Sequence, residues 1–162
     1  MRRTGVDFGD RVRDLWEQDH ARLWRSVLAW SGSTDVASDA VAEAFAQVLR
    51  RGDEVRDPAA WVWRTAFRVA AGLLVERRRS APAFATVPDA VATTTDPAES
   101  LALVQALATL DDADRTVVVL ALVAGWTAEE IASMDGATAG AVRVRLHRAR
   151  GRLRDELEVH DG

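Results

Sequence analysis

The chain has 162 residues, 48% of them hydrophobic and 28% charged, with a net charge of -4 and no cysteine. That length and apolar content fit one globular domain or two small ones and exclude a disordered tail, while the missing thiols and three scattered histidines exclude a disulfide framework and the usual metal-ligand spacings. No apolar signal region opens the chain and no run of 18 apolar residues occurs in it, so a soluble, cytoplasmic protein with no membrane insertion is expected.

Residues 11 to 79 carry helical periodicity. Leu15, Trp16, Leu23, Trp24, Val27 and Leu28 recur at spacings of three, four and seven, as do Val36, Ala40, Ala44, Phe45, Val48 and Leu49, each set marking the buried face of an amphipathic helix. Ser31-Gly32-Ser33-Thr34 separates the two, with Thr34 or Asp35 placed to cap the second. A third helix opens at Asp57-Pro58, where Asp suits the N-cap and Pro the first helical position, and runs to about Arg79. Ser80 to Glu99 holds three of the four prolines and no apolar stripe longer than a turn, the pattern of a flexible linker. Fully extended at roughly 3.3 Å per residue it reaches about 60 Å, nearly two turns of B-DNA.

A second block starts near Ser100 with the short stripe Leu101, Val104 and Leu107. Ala113 to Val123 reads as a helix apolar nearly all round, hence central to a small core. Thr127 and Glu130 form a capping box at the next helix, which stops at Gly136, and the last helix runs from about Thr138 to Leu157. The expected fold is all-α: two small helical domains, 11–79 and 100–158, joined by the linker 80–99, the second a helix-turn-helix.

Charge is segregated along this frame. Trp61 to Ser80 has five arginines against one glutamate, Asp89 to Asp114 six acids and no base, and Ala137 to Arg154 six arginines and no acid. At 100° per residue, Val142, Leu146, Ala149 and Leu153 form the core stripe of the last helix. Arg143, Arg150 and Arg154 flank it on one side, Arg145, Arg148 and Arg152 on the other, with Val144 and His147 pointing outward between them. A helix-turn-helix sends the start of its second helix into the major groove. Thr138, Ala141, Arg143, Val144 and His147 are therefore placed for bases, and Arg145, Arg148 and Arg150 for phosphates. Pairing of these arginines with Asp111, Asp112 or Asp114 accounts for one flank at most.

The stretch EEIASMDGATAGAVRVRLHRARGRLR resembles the C-terminal domain of bacterial RNA polymerase sigma factors of the extracytoplasmic-function (ECF) group, whose usual form runs EEIAxxLGxxxGTVxSRLxRARxxLR. DVASDAVAEAFAQVLRR is similar to their polymerase-binding helix, and DPAAWVWRTAFRVAAGLLVERRR to their minus-ten promoter helix. The resemblance implies a non-catalytic protein that binds core RNA polymerase, places it on promoter DNA and assists opening, held in check by an anti-sigma factor. It assigns the polymerase contact to Asp39, Ala42, Glu43, Ala46 and Arg50, and the minus-thirty-five contact to the last helix. The minus-ten contact falls to Trp61, Trp63, Arg64, Phe67 and Arg68 with Arg77, Arg78 and Arg79, the loop Arg51 to Arg56 framing a pocket for a flipped base. Aromatic rings with arginines suit unstacked bases, although one of Trp61 and Trp63 is expected in the core.

Four positions depart from the family's pattern: Arg68, Gly72, Asp111 in place of a proline, and Asp135 in place of a leucine that packs the second domain. A competing reading is a helix-turn-helix regulator that binds DNA without polymerase. An enzyme has no support, because the chain has no phosphate loop ending in lysine, no lysine at all and no histidine-carboxylate set at metal spacing. No cofactor, metal or small-molecule substrate is implied.

Overall fold

The computed structural model describes residues 6–80 and 97–162. Among them lie α1 (Phe8–Ser31), α2 (Thr34–Arg51), a short 3-10 turn (Gly52–Glu54), α3 (Pro58–Ser80), α4 (Pro97–Ala108), α5 (Asp112–Leu122), α6 (Ala128–Asp135) and α7 (Ala139–Asp161), and no strand. Most of the expected linker falls outside the described residues.

The first block is a bundle of α1, α2 and α3. Leu23, Val27 and Leu28 of α1 meet Val36, Ala40, Ala44 and Val48 of α2 and Val62, Trp63, Ala66 and Ala70 of α3, all buried. The alanines let the helix backbones approach closely, and each fully buried Leu or Val contributes about 1.5–3 kcal/mol. Two expected stripe positions point outward instead: Trp16 is 41% and Leu49 54% exposed. Val48 fills the inward place, and the next residue, turned by 100°, leaves the core.

Local chemistry explains the boundaries. Gly32 ends α1 at φ 70, donating its N–H to Leu28 O at 2.8 Å. Ser33, not Thr34 or Asp35, caps α2, its hydroxyl accepting from Val36 N at 3.2 Å. Asp57 caps α3 through Ala60 N at 3.2 Å. Asp111, where the family carries proline, is the N-cap of α5 and accepts from Asp114 N at 2.8 Å. One helix-start signal has been exchanged for another.

The second block wraps α5 with α4, α6 and α7. Val117, Val118, Val119 and Leu120 pack against Leu107, Ile131, Ala132, Met134, Val142, Ala149 and Leu153, all buried. Leu146, expected in that stripe, is only partly buried. Asp135 does not loosen this core: it faces solvent, and Met134 beside it is 4% exposed and fills the space.

The two blocks dock on one another. Arg115, 5% exposed, stacks on the Trp30 ring at 4.3 Å and donates to Trp30 O at 3.0 Å across the joint. Burial pushes its guanidinium pKa down, and Asp112, 3.2 Å away, pulls it back. Trp126 packs on Trp63 with centroids 4.8 Å apart, and Arg64 of α3 donates to Met134 O of α6 at 3.1 Å. Gly32 is pressed so close to α4 that a Cβ there would stand 2.9 Å from a Val104 methyl.

Candidate nucleic-acid interface

The helix-turn-helix is set by three local devices. Thr127 Oγ1 accepts from Glu130 N at 3.2 Å while Glu130 Oε1 accepts from Thr127 N at 3.3 Å, closing the capping box of α6. Gly136 turns the chain at φ 68, a left-handed conformation costly for any residue with a Cβ. Thr138 Oγ1 then accepts from Ala141 N at 3.1 Å and opens α7. Thr138, expected among the base contacts, thus commits one of its two acceptor lone pairs to the helix start.

Beyond that cap, Ala141, Arg143, Val144, Arg145, His147, Arg148 and Arg150 are all exposed on α7, with Val144 52% open. Pairing with acids touches both flanks, not one. Arg143 bonds Glu129 of α6; Arg145 and Arg152 both reach Asp114 of α5, at 3.6 and 3.1 Å. Arg148, Arg150 and Arg154 have no carboxylate partner among the described residues. Arg145, Arg148 and Arg152 line a hollow of about 430 Å³ together with Asp114, Gly140, Ala141 and Val144. Exposed pairs of this kind are worth little energetically, so the helix still presents a net positive face.

The second surface lies on α3 and the loop before it. Arg51, Glu54, Val55, Arg56, Asp57, Ala60, Trp61 and Arg64 line a pocket of about 350 Å³, where the flipped-base pocket is expected. Trp61 sits half-buried at its wall. Trp63 and Phe67 do not join it. Trp63 is fully buried, its indole N–H donated to Asp19 at 2.9 Å, and Phe67 is 5% exposed, edge-on to Trp30. In this arrangement neither ring offers a face to a base. Arg68 and Asp135, two of the family departures, both line a cleft of about 290 Å³ between the blocks, with no ion pair between them. Gly72 faces open space. Arg77 is tied to the start of α2, donating to Ser33 Oγ at 3.0 Å with Asp35 at 3.8 Å, whereas Arg78 and Arg79 extend into solvent.

The polymerase face expected on α2 is a continuous outer strip. Asp39, Ala42 and Arg50 are exposed, Glu43 and Ala46 partly so. Glu43 accepts from Gln47 at 2.8 Å and from Arg50 at 3.0 Å, and these two contacts hold its carboxyl below the usual range.

Sequence reasoning missed the role of Arg115 and Trp126 in the joint and that of Glu129 beside Arg143. The local marks were an arginine one residue removed from an apolar run and a tryptophan beside Gly125, and neither names a partner. Among the described residues no group of three or more His, Asp or Glu could hold a metal, and no helix is long and apolar enough to cross a membrane.

Comparison with known proteins agrees with this geometry. Residues 100–153 match the sigma-70 region 4 family. The ECF RNA polymerase sigma factor SigL of Mycobacterium tuberculosis is 30% identical over an alignment covering 91% of this chain and 89% of the relative. The RNA polymerase sigma factor CarQ of Myxococcus xanthus is 29% identical, with 93% and 94% covered. Among solved structures, the sigma factor RpoE of Bartonella quintana, in complex with the anti-sigma factor NepR, superposes with a TM-score of 0.72 at 20% identity, covering 91% of this chain and 96% of that one. With 30% identity to SigL over most of both chains and a sigma-70 region 4 match on its helix-turn-helix, the chain belongs to the ECF group of RNA polymerase sigma factors.

Proposed function

We propose that the protein is a transcription initiation factor that binds core RNA polymerase through the outer strip of α2 and directs it to specific promoters. In this reading 11–79 is the polymerase and minus-ten domain, 80–99 the connector, and 100–158 the minus-thirty-five domain. Arg143, Val144, His147 and Ala141 meet bases, while Arg145, Arg148 and Arg150 meet phosphates. Arg51, Arg56, Trp61, Arg64, Arg68 and Arg78 serve the minus-ten element and help hold the opened strand. The role is non-catalytic and belongs in the cytoplasm with the polymerase. The observation that carries the reading is the capped helix-turn-helix whose exposed helix has six arginines against two paired acids, joined in one chain to a bundle with an arginine-lined pocket of its own.

Run-off transcription with core polymerase tests it. Promoter-dependent transcripts are expected only when protein and core enzyme are combined. Sequence-specific binding by the protein alone, with no transcript from any promoter, instead supports a polymerase-independent regulator. An anti-sigma partner is part of the proposal, supported by the complex in which the Bartonella structure was solved; it is expected to co-purify from the native host under non-inducing conditions.

A further inference from the structure

The last helix does not carry its arginines unaided. Asp114 stands in the first turn of α5, its side chain 13% exposed and its backbone N–H held by the Asp111 cap at 2.8 Å. Its carboxylate faces α7: Oδ2 accepts from Arg152 Nη1 at 3.1 Å, and Oδ1 lies 3.6 Å from Arg145 Nε. Arg145 and Arg152 are two turns apart on one flank with the unpaired Arg148 between them, and all three border the hollow beside Gly140 and Ala141.

The geometry of the contacts matters more than their energy. Arg145 turns Nε toward the carboxylate at ion-pair distance, 3.6 Å, which leaves its terminal fork free. Arg152 is held through one Nη, and the two side chains remain 50% and 62% exposed. A lone surface arginine carries up to about 2 kcal/mol of rotamer entropy, part of which is lost on meeting a phosphate. A carboxylate behind the guanidinium removes some of that loss in advance. Its own charge opposes a phosphate and it borders the same hollow, but its side chain is only 13% exposed and is set against three positive charges.

We propose that Asp114 is a positioning residue of the DNA contact: it sets Arg145 and Arg152, with Arg148, as a three-arginine seat for a backbone phosphate of the promoter. The inference rests on α7 being the promoter-reading helix. It assigns a binding role to α5, an element that otherwise builds the core and, through Arg115, the joint with Trp30.

The test uses holoenzyme reconstituted from core polymerase and full-length protein, and a duplex that the wild-type holoenzyme selects from random DNA. Binding is measured as a function of salt. Asp114→Asn is expected to bind about three- to tenfold more weakly, with the slope of log affinity against log salt shallower by about one contact. Asp114→Glu should recover part of the loss. In the background of Arg145→Ala plus Arg152→Ala, Asp114→Asn should have no further effect, since the seat it serves is gone. A structural role alone would lower the melting temperature and leave the salt slope unchanged. Unchanged or tighter binding by Asp114→Asn, or losses that add to those of the arginine variants, overturns the seat. If Asp114→Asn does not fold, Arg145→Ala and Arg152→Ala are read singly, and an unaltered salt slope in both overturns it as well. Wild-type holoenzyme that selects no sequence removes the promoter reading itself and the seat with it.

Discussion

Arg143 and Arg150 lie on the same flank of α7 and are expected to differ in what they recognise. Arg143 is near the start of the helix and is steered by Glu129; Arg150 is two turns on, with no carboxylate partner among the described residues. A guanidinium held at the mouth of the major groove can read guanine, whereas one farther along meets backbone. Arg143→Ala should therefore relax discrimination at one base position by about 1–3 kcal/mol, seen as converging affinities for the selected promoter and its single-base variants. Arg150→Ala should weaken all sequences alike and reduce the salt slope by about one. The flank each arginine occupies is legible from its 100° spacing. Its partner is only half legible: Asp114 is a candidate from the acidic stretch, but Glu129 is not, and both come from other helices whose phase against α7 no local pattern fixes.

Helix boundaries show which signals a sequence carries. Where a start is a side chain bonding its own backbone, as at Asp57 and Thr127, the residue types and their spacing mark the element by themselves. Where no breaker stands, the ends lie beyond the periodic stripe: α1 begins at Phe8 and α7 runs to Asp161, whereas α4 opens on Pro97, a start signal of the kind seen at Asp57-Pro58 that lies inside the stretch expected as linker. The capping box is also testable. Thr127→Ala leaves the Glu130 amide without its acceptor and should cost about 1 kcal/mol, which for a domain this small lowers the melting temperature by about 4–8 °C. Gly136→Ala isolates a different term. A Cβ there meets nothing within 4 Å, so only the φ of 68 resists it. A cost of about 1–2 kcal/mol is expected, read by thermal melting, together with weaker DNA binding as the turn that aims α7 relaxes.

The docking of the two blocks is the least legible feature. A stripe of apolar residues marks a buried face without saying what covers it, and nothing near Trp126 or Arg115 in the chain hints that they meet Trp63 and Trp30. The joint has a weakness of its own. The buried side-chain polar atoms without a partner among the described residues are Trp30 Nε1, Trp126 Nε1 and Arg115 Nε, and all three lie in it. Each such donor costs about 1–3 kcal/mol relative to water, so opening the joint recovers hydration and offsets part of the lost packing. Docking also draws on Arg64: its Nη1 donates to Met134 O while the side chain lines the pocket proposed for the minus-ten element, so a base there competes with the joint for that donor. Separation of the blocks and use of that pocket are thus coupled. Arg115→Met keeps side-chain bulk but removes the bond to Trp30 O and the charge over its ring, a stacking worth up to about 2 kcal/mol when desolvated. In small-angle scattering the free variant should show a larger radius of gyration than wild type, with far-UV circular dichroism unchanged because each block keeps its own core. The same variant should bind a minus-ten single strand more tightly without polymerase, since Arg64 is released. An unchanged radius together with unchanged strand binding would mean that the joint holds without Arg115 and that Arg64 is not limited by it.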